Sequence, residues 1–261
     1  MIIIIFFIAH WYLSLFSQSF LMHRYAAHGS FSMNKFWERF FHLMAYFTMG
    51  SSFLSPRTYG ILHRMHHAYT DTDKDPHSPK NFRHIFAMMD RTAKVYTDID
   101  TGRVEVEERF TKNLPYWKLL DKWGQTYLSR IIWIALYTSF FILFANHWWQ
   151  YLLLPVVILM SPVHGAVINW FAHKYGYRNF EMNNTSRNLF PFDFFLLGER
   201  FHNNHHKFAS RINFGVKWFE IDPVYYIILV FNKLRIVRIH KLSPQMQQIE
   251  EEPRRRRNSR K

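Results

Sequence analysis

The sequence predicts an all-α integral membrane protein with about three transmembrane helices and one interfacial helix, capped by a helical domain on the cytoplasmic side. Three observations carry this. Met1 to Met22 contains no Asp, Glu, Lys or Arg, and Ile131 to His173 contains none either. The rest of the chain is charged enough to leave a net +14. A bilayer is crossed by about 20 apolar residues in a helix, so the first run makes one span and the second makes two. The mean hydropathy of -0.20 averages these runs with a polar remainder. At 49% hydrophobic residues the chain is too apolar to be disordered. With no cysteine, it holds neither disulfides nor thiolate metal sites.

The elements follow in order. The first span, about 1–22, lacks the basic start, short apolar core and small-residue cleavage site of a signal peptide. Phe36 to Pro56 is apolar but broken by Glu38 and Arg39, and Gly50, Ser51, Ser52, Ser55 and Pro56 crowd its far end. That pattern suits a helix lying in the interface. The second and third spans, about 128–146 and 149–171, meet at Asn146, His147, Trp148, Trp149 and Gln150, an uncharged turn with the tryptophans of a membrane surface. Residues 57–127 and 174–245 form the cap, completing a single domain over 1–245. Lys and Arg then fall on one side, which puts the amino terminus and the 146–151 turn outside and the cap and carboxy terminus in the cytoplasm. The segment 246–261, with Arg254 to Arg257, Arg260 and Lys261, is expected to be a disordered basic tail drawn to anionic lipid. No glycine-rich phosphate loop or stacked-aromatic motif points to nucleic acid.

Eight of the sixteen histidines fall in three tight groups: His23 and His28 in HRYAAH, His63, His66 and His67 in HRMHH, and His202, His205 and His206 in HNNHH. On a helix, positions i, i+3 and i+4 share a face, so each H-x-x-H-H segment presents three imidazoles to one side. His23 and His28 lie about 140° apart on an ideal helix, and so serve different metals or flank an irregular turn. Eight imidazoles are too many for one ion and suit two, with oxygen or water in the remaining positions. One span before the first group and two before the third bring all three to one membrane face. Asn169 and His173 stand i, i+4 at the end of the third span and point the same way.

These motifs, in this order and with HRMHHAYTDTDKDPHSP and NWFAHKYGYR, resemble the membrane fatty-acyl desaturases of the stearoyl-CoA, delta-9 type, in a short bacterial-like form. The likeness runs from about His10 to Trp218. It implies a di-iron centre held by His23, His28, His63, His66, His67, His173, His202, His205 and His206, with Asn169 holding a metal-bound water. It also implies O2 as co-substrate, a saturated acyl-CoA or lipid as substrate, and a cis double bond as product. Asp75 and His77 match a family motif after the second box. Glu199 and Asn203, beside the third box, are candidates to orient ligand histidines by hydrogen bonds. Arg91 and Lys94 are candidate contacts for the phosphates of the substrate head group. Two features depart from animal relatives: one span rather than a two-span hairpin precedes His23, and no H-P-G-G segment marks a fused haem domain. Electrons are therefore expected from a separate carrier such as a ferredoxin or cytochrome. The expected location is the inner membrane of a bacterial cell.

Two rival chemistries share part of this pattern. A hydroxylase or ketolase of the same superfamily shares the first hydrogen abstraction, but the box spacing favours the desaturase. A metal transporter would place its ligands near the bilayer midplane. Here the groups sit at span ends, and His10 and His164, within the apolar windows, lack neighbours of ligand type.

Overall fold

The computed structural model describes residues 1–193 and 195–240, and the basic tail lies outside the described residues. Helix α1 (Ile2–Ala27) is long and apolar enough to cross a membrane. Its last ten residues, Gln18–Ala27, are wound as a π-helix. A short strand β1 (Phe31–Met33) leads to α2 (Lys35–Met49), capped by Asn34 Oδ1, which accepts the Trp37 amide. Next come α3 (Pro56–Tyr69), α4 (Ile85–Asp100) and α5 (Lys118–Gln125). Ser55 caps α3 and Pro56 opens it, where a missing N–H costs nothing.

Helix α6 (Tyr127–Phe144) is the second helix fit to span among the described residues. After the tryptophan turn, α7 (Trp148–Ile158) and α8 (Met160–Phe171) make a third span if the pair counts as one, but they are bent by 75°. The expected straight span 149–171 is thus broken at Leu159. Pro162 explains the bend, because its ring clashes with the carbonyl four residues back, Ile158, and supplies no N–H to it. Ser51 Oγ donates to that freed carbonyl at 2.7 Å. Ser52 Oγ accepts the Ser161 amide at 3.1 Å, and His10 Nε2 donates to Val157 O across 3.4 Å. The polar residues within the apolar windows therefore satisfy the backbone of a broken helix, as a lipid environment demands.

At 15 residues α2 is too short to span. Its far end dips to the kink, where Gly50 (φ +52) lies against Tyr137 on α6, and an added Cβ would sit 1.8 Å from the Tyr137 hydroxyl. Further along come α9 (His202–Lys207), α10 (Pro223–Lys233) and β2 (Val237–Ile239), which pairs antiparallel with β1. The main apolar core gathers Phe20, Leu21 and Met22 of α1, Phe41 and Ala45 of α2, and Val224 and Ile228 of α10. A second core packs Ile3 against Phe141, Val157 and Met160 of the spans. The histidine-bearing ends of α1 and α3 run side by side: the Arg64 guanidinium on α3 donates to the carbonyls of Ala26 and Ala27.

Candidate metal centre

Nine histidines from four parts of the chain converge in two groups. His23, His28, His63, His67 and His205 form one; His66, His173, His202 and His206 form the other. Within each group the candidate donor atoms all lie within 4.8 Å of one another. The first is a chain of Nε2 atoms, with His28 to His63 2.9 Å, His63 to His67 3.0 Å, His67 to His205 2.9 Å and His205 to His23 2.9 Å. In the second, His66 to His206 is 3.2 Å, His206 to His202 3.0 Å and His202 to His173 2.9 Å.

The π-helix explains why His23 and His28 belong together rather than to different metals. In an i→i+5 ladder residues five apart stack one turn over another, and the His28 amide donates to the His23 carbonyl at 3.2 Å. The two H-x-x-H-H helices do not face one metal each. Each divides: His63 and His67, at i and i+4, join one group while His66 joins the other, and on α9 His202 and His206 are separated from His205 in the same way. His173 lies in a turn just past the end of α8, so its position does not follow from the helical i, i+4 argument.

Around the ring of Nε2 atoms, carboxylates and a hydroxyl hold the outer nitrogens. Glu199 Oε2 accepts from His23 Nδ1 at 2.6 Å. Asp75 takes His66 Nδ1 with both oxygens, at 2.9 and 3.0 Å. His173 Nδ1 is 3.1 Å from Thr185 Oγ1, and Thr185 is fixed through its amide by Asp71. Such contacts select the tautomer whose Nε2 lone pair faces inward. Burial and the repulsion of neighbouring imidazoles push His28, His63, His67, His202, His205 and His206 well below the ordinary histidine range. They stand as neutral imidazoles, the form that binds metal. Burial alone would raise Glu199, but the His23 hydrogen bond and the Arg24 guanidinium hold it down at about 2.

The donor set fits a pair of metal ions. Nitrogens bound at about 2.0–2.1 Å and at right angles to one another lie about 2.9 Å apart, and the adjacent Nε2 atoms are 2.9–3.2 Å apart. Nine imidazole nitrogens without sulfur or a directly facing carboxylate suit a borderline metal such as iron.

The other expected residues are placed as follows. Asn203 points away from the histidines: its amide ties the 179–186 loop through the Asn179 and Phe180 amides and the Phe180 and Ser186 carbonyls. Its place next to His202 on α9 turns it to the far side, so it orients the loop instead of a ligand. His77 stacks on His66 with ring centroids 4.2 Å apart, and neither of its nitrogens has a hydrogen-bond partner among the described residues. Asn169 is half-buried in the π-turn Val167–Phe171, with no hydrogen bond from its amide among the described residues. Lys94 is engaged by Asp90 at 2.7 Å, and Arg91 is exposed on α4.

Sequence reading missed three supports. Arg24, fully buried, joins Glu199 (3.0 Å) to Asp222 (2.7 Å), which also caps α10. Glu220 holds Asn204, between the histidines of α9, and Asp71 holds Thr185. Arg24 carried a signal, a charge directly after an apolar span and inside the first histidine motif.

Comparison with known proteins agrees with this geometry. The model of the fatty acid desaturase family matches residues 1–241. The chain is 31% identical over 240 residues to Delta-9 desaturase-like 4 protein of Arabidopsis thaliana, covering 90% of this chain and 75% of the relative. It is 32% identical to Delta-9 acyl-lipid desaturase 1 of the same plant (79% and 64% covered). It is 29% identical to Acyl-CoA 5-desaturase AL21 of Anemone leveillei (84% and 65% covered). The buried histidine groups, the apolar spans and the match over nearly the whole described chain lead to one conclusion: this chain belongs to the fatty acid desaturase family and is an oxidoreductase of that kind.

Proposed function

We propose that the chain introduces a cis double bond at the delta-9 position of a saturated acyl-CoA, with two irons held by the nine histidines. The observation that supports this most is the division of nine buried or half-buried imidazoles into groups of five and four. Two bound irons supply the reduction of O2 to water and the oxidising power that removes two hydrogens from adjacent methylenes. The protein's part is to hold two ions apart but adjacent, and each split H-x-x-H-H helix does this by giving imidazoles to both. The group of four has one imidazole fewer than the other, and Asn169, whose amide has no partner among the described residues, completes it through a water. Asp75, Glu199 and Thr185 keep the ligand tautomers. His77 packs the back of His66.

Arg91, exposed on α4 and without an ion pair among the described residues, serves the thioester's phosphates, whereas Lys94 is occupied by Asp90. Electrons come from a separate carrier, a ferredoxin or cytochrome, and the histidine groups and carboxy terminus face the cytoplasm. Delta-9 regiochemistry rests on the names of the relatives at about 30% identity, one of which is a 5-desaturase.

The test is the fatty-acid profile, by gas chromatography with mass spectrometry, of a host expressing this chain or its His205→Ala form with a compatible donor. A new cis-Δ9 acid made only by the intact chain is expected. A hydroxylated product would assign the chain to sister chemistry, and a double bond elsewhere would overturn the position. Purified protein given stearoyl-CoA or a stearoyl phospholipid separates the two carriers. Iron analysis should find about two ions in the intact chain and fewer in His205→Ala and His66→Ala.

A further inference from the structure

The end of α10 and the start of α2 meet at the β1–β2 ribbon. After Lys233 the chain turns through Arg235, a non-glycine residue at φ +59, and Arg238 pairs with Ser32. A cleft of about 490 Å³ opens here, bounded by Ser32, Met33, Asn34, Asn232, Arg235 and Arg238. Both arginines are exposed, and neither makes an ion pair or hydrogen bond with a described residue. The nearby carboxylate of Glu38 is already taken by Lys35 and Tyr25. Among the described residues the cleft therefore carries two guanidinium groups without a carboxylate partner, the side chain suited to forked contact with phosphate oxygens.

On either side of the cleft, apolar side chains face outward. Helix α2 exposes Phe36, Phe40, Leu43 and Phe47, spaced four, three and four apart along one face. Helix α10 exposes Tyr226, Leu229 and Val230. The opposite faces of both helices are buried together around Phe20, three residues before His23 on α1. Both stripes thus lie beside the end of a span, where an amphipathic helix meets head groups and the upper acyl chains. Cations at that level attract anionic lipid.

We propose that the cleft at the β1–β2 ribbon binds the phosphate of an anionic phospholipid whose acyl chains lie over the exposed faces of α2 and α10. The site is separate from the histidine groups and does not depend on the reaction they perform. It has a structural consequence for them. Helix α10 starts at Asp222, which holds Arg24 against Glu199, so a lipid anchored at one end of α10 braces the helix that supports His23 from the other.

The test uses the full-length, metal-loaded protein in a neutral detergent, with its melting temperature read after addition of dioleoyl phosphatidylglycerol, dioleoyl phosphatidylcholine or inorganic phosphate. Phosphatidylglycerol is expected to raise the midpoint by about 3 °C or more, phosphatidylcholine and free phosphate not to. The double variant Arg235→Gln/Arg238→Gln should lose most of that rise while keeping its midpoint in detergent alone. The basic tail is present in both proteins, so its contribution cancels. An equal rise in the variant, or with phosphatidylcholine, would overturn the site; a rise with inorganic phosphate would make it a free-phosphate site. If the double variant melts early in detergent alone, Arg238→Gln and a count of retained phosphatidylglycerol by native mass spectrometry decide, with equal retention counting against the proposal.

Discussion

Glu199 accepts His23 Nδ1–H on one oxygen and the hydroxyl of Ser19 and Arg24 Nη1 on the other, with 5% of the residue exposed. As a carboxylate it fixes the tautomer that turns His23 Nε2 inward and neutralises a guanidinium that has no access to water. Glu199→Gln keeps the size and loses the charge. Metal affinity should fall about 10–100-fold, the usual cost of losing a carboxylate behind a ligand histidine. An iron titration of the solubilised variant checks this, and an unchanged affinity would remove Glu199 from the site. Gly50 belongs to this scale for another reason. Gly50→Ala must place a Cβ in the left-handed region and against Tyr137, at a cost of about 1–3 kcal/mol. Thermal unfolding reads that cost, and Gly50→Ala/Tyr137→Phe should recover only part of it, since the backbone strain stays.

The six histidines of the two H-x-x-H-H boxes were legible from spacing because ligands on one α-helix repeat at three and four, and His23 and His28, five apart, were legible as a close pair after an apolar span. Arg24, Asp71, Glu220 and Asp222 were not, because what makes them important is a partner that the sequence does not place beside them: Arg24 meets Glu199 and Asp222 across well over a hundred residues.

At the level of elements, α9 is six residues long, too short to be stable alone, yet it carries three of the nine histidines. Its stability comes from the side opposite the metal. Asn204 donates to Phe214 O and Glu220 and accepts from Asn179 and Asn188. Glu220 in turn receives the Tyr177 hydroxyl and the Val216 and Lys217 amides. Burial alone would raise the Glu220 carboxyl, but the Tyr177 hydrogen bond and these amides bring it below the ordinary value of 4.5. A depressed carboxyl contributes stability above the unfolded value and loses it as pH falls through the folded one. Glu220→Gln should therefore melt below the wild type at pH 7, and the gap should narrow as pH drops below 4.5. A gap constant with pH would mean that packing, not charge, holds α9.

The same reasoning shows where sequence patterns stop. A charge-free window announces a span, but Pro155 and Pro162 inside it did not foretell a 75° break, because a proline can also sit in a kink that lipid tolerates. What marks the break is Ser51 and Ser52, from the turn after α2, and His10 on α1 reaching it. Likewise the five-residue gap between His23 and His28 was incompatible with one α-helical face, and only the π-helix makes it one turn.

For the whole molecule, the two histidine groups impose a parity. They take side chains from the ends of α1 and α3, from the turn after α8, and from α9, so those four places must lie on one side of the membrane. Between them the chain makes either no crossing or two. On the topology proposed above, α2 does not cross, and α6 with the bent α7–α8 pair crosses as a hairpin whose turn, Asn146 to Gln150, faces the opposite side. Charge agrees, since that turn carries none and residues 174–261 carry nine of the fourteen net positive charges. The chain has no cysteine, so single cysteines report without background. Cysteines replacing Asn81, Tyr175 and Lys207 should react with an impermeant maleimide only when the face bearing the histidines is opened. A cysteine replacing Trp148 should react from the other face in intact cells or vesicles. If Asn81 and Tyr175 labelled from opposite faces, one of the histidine groups could not assemble, because His66 and His173 would stand on different sides of the bilayer.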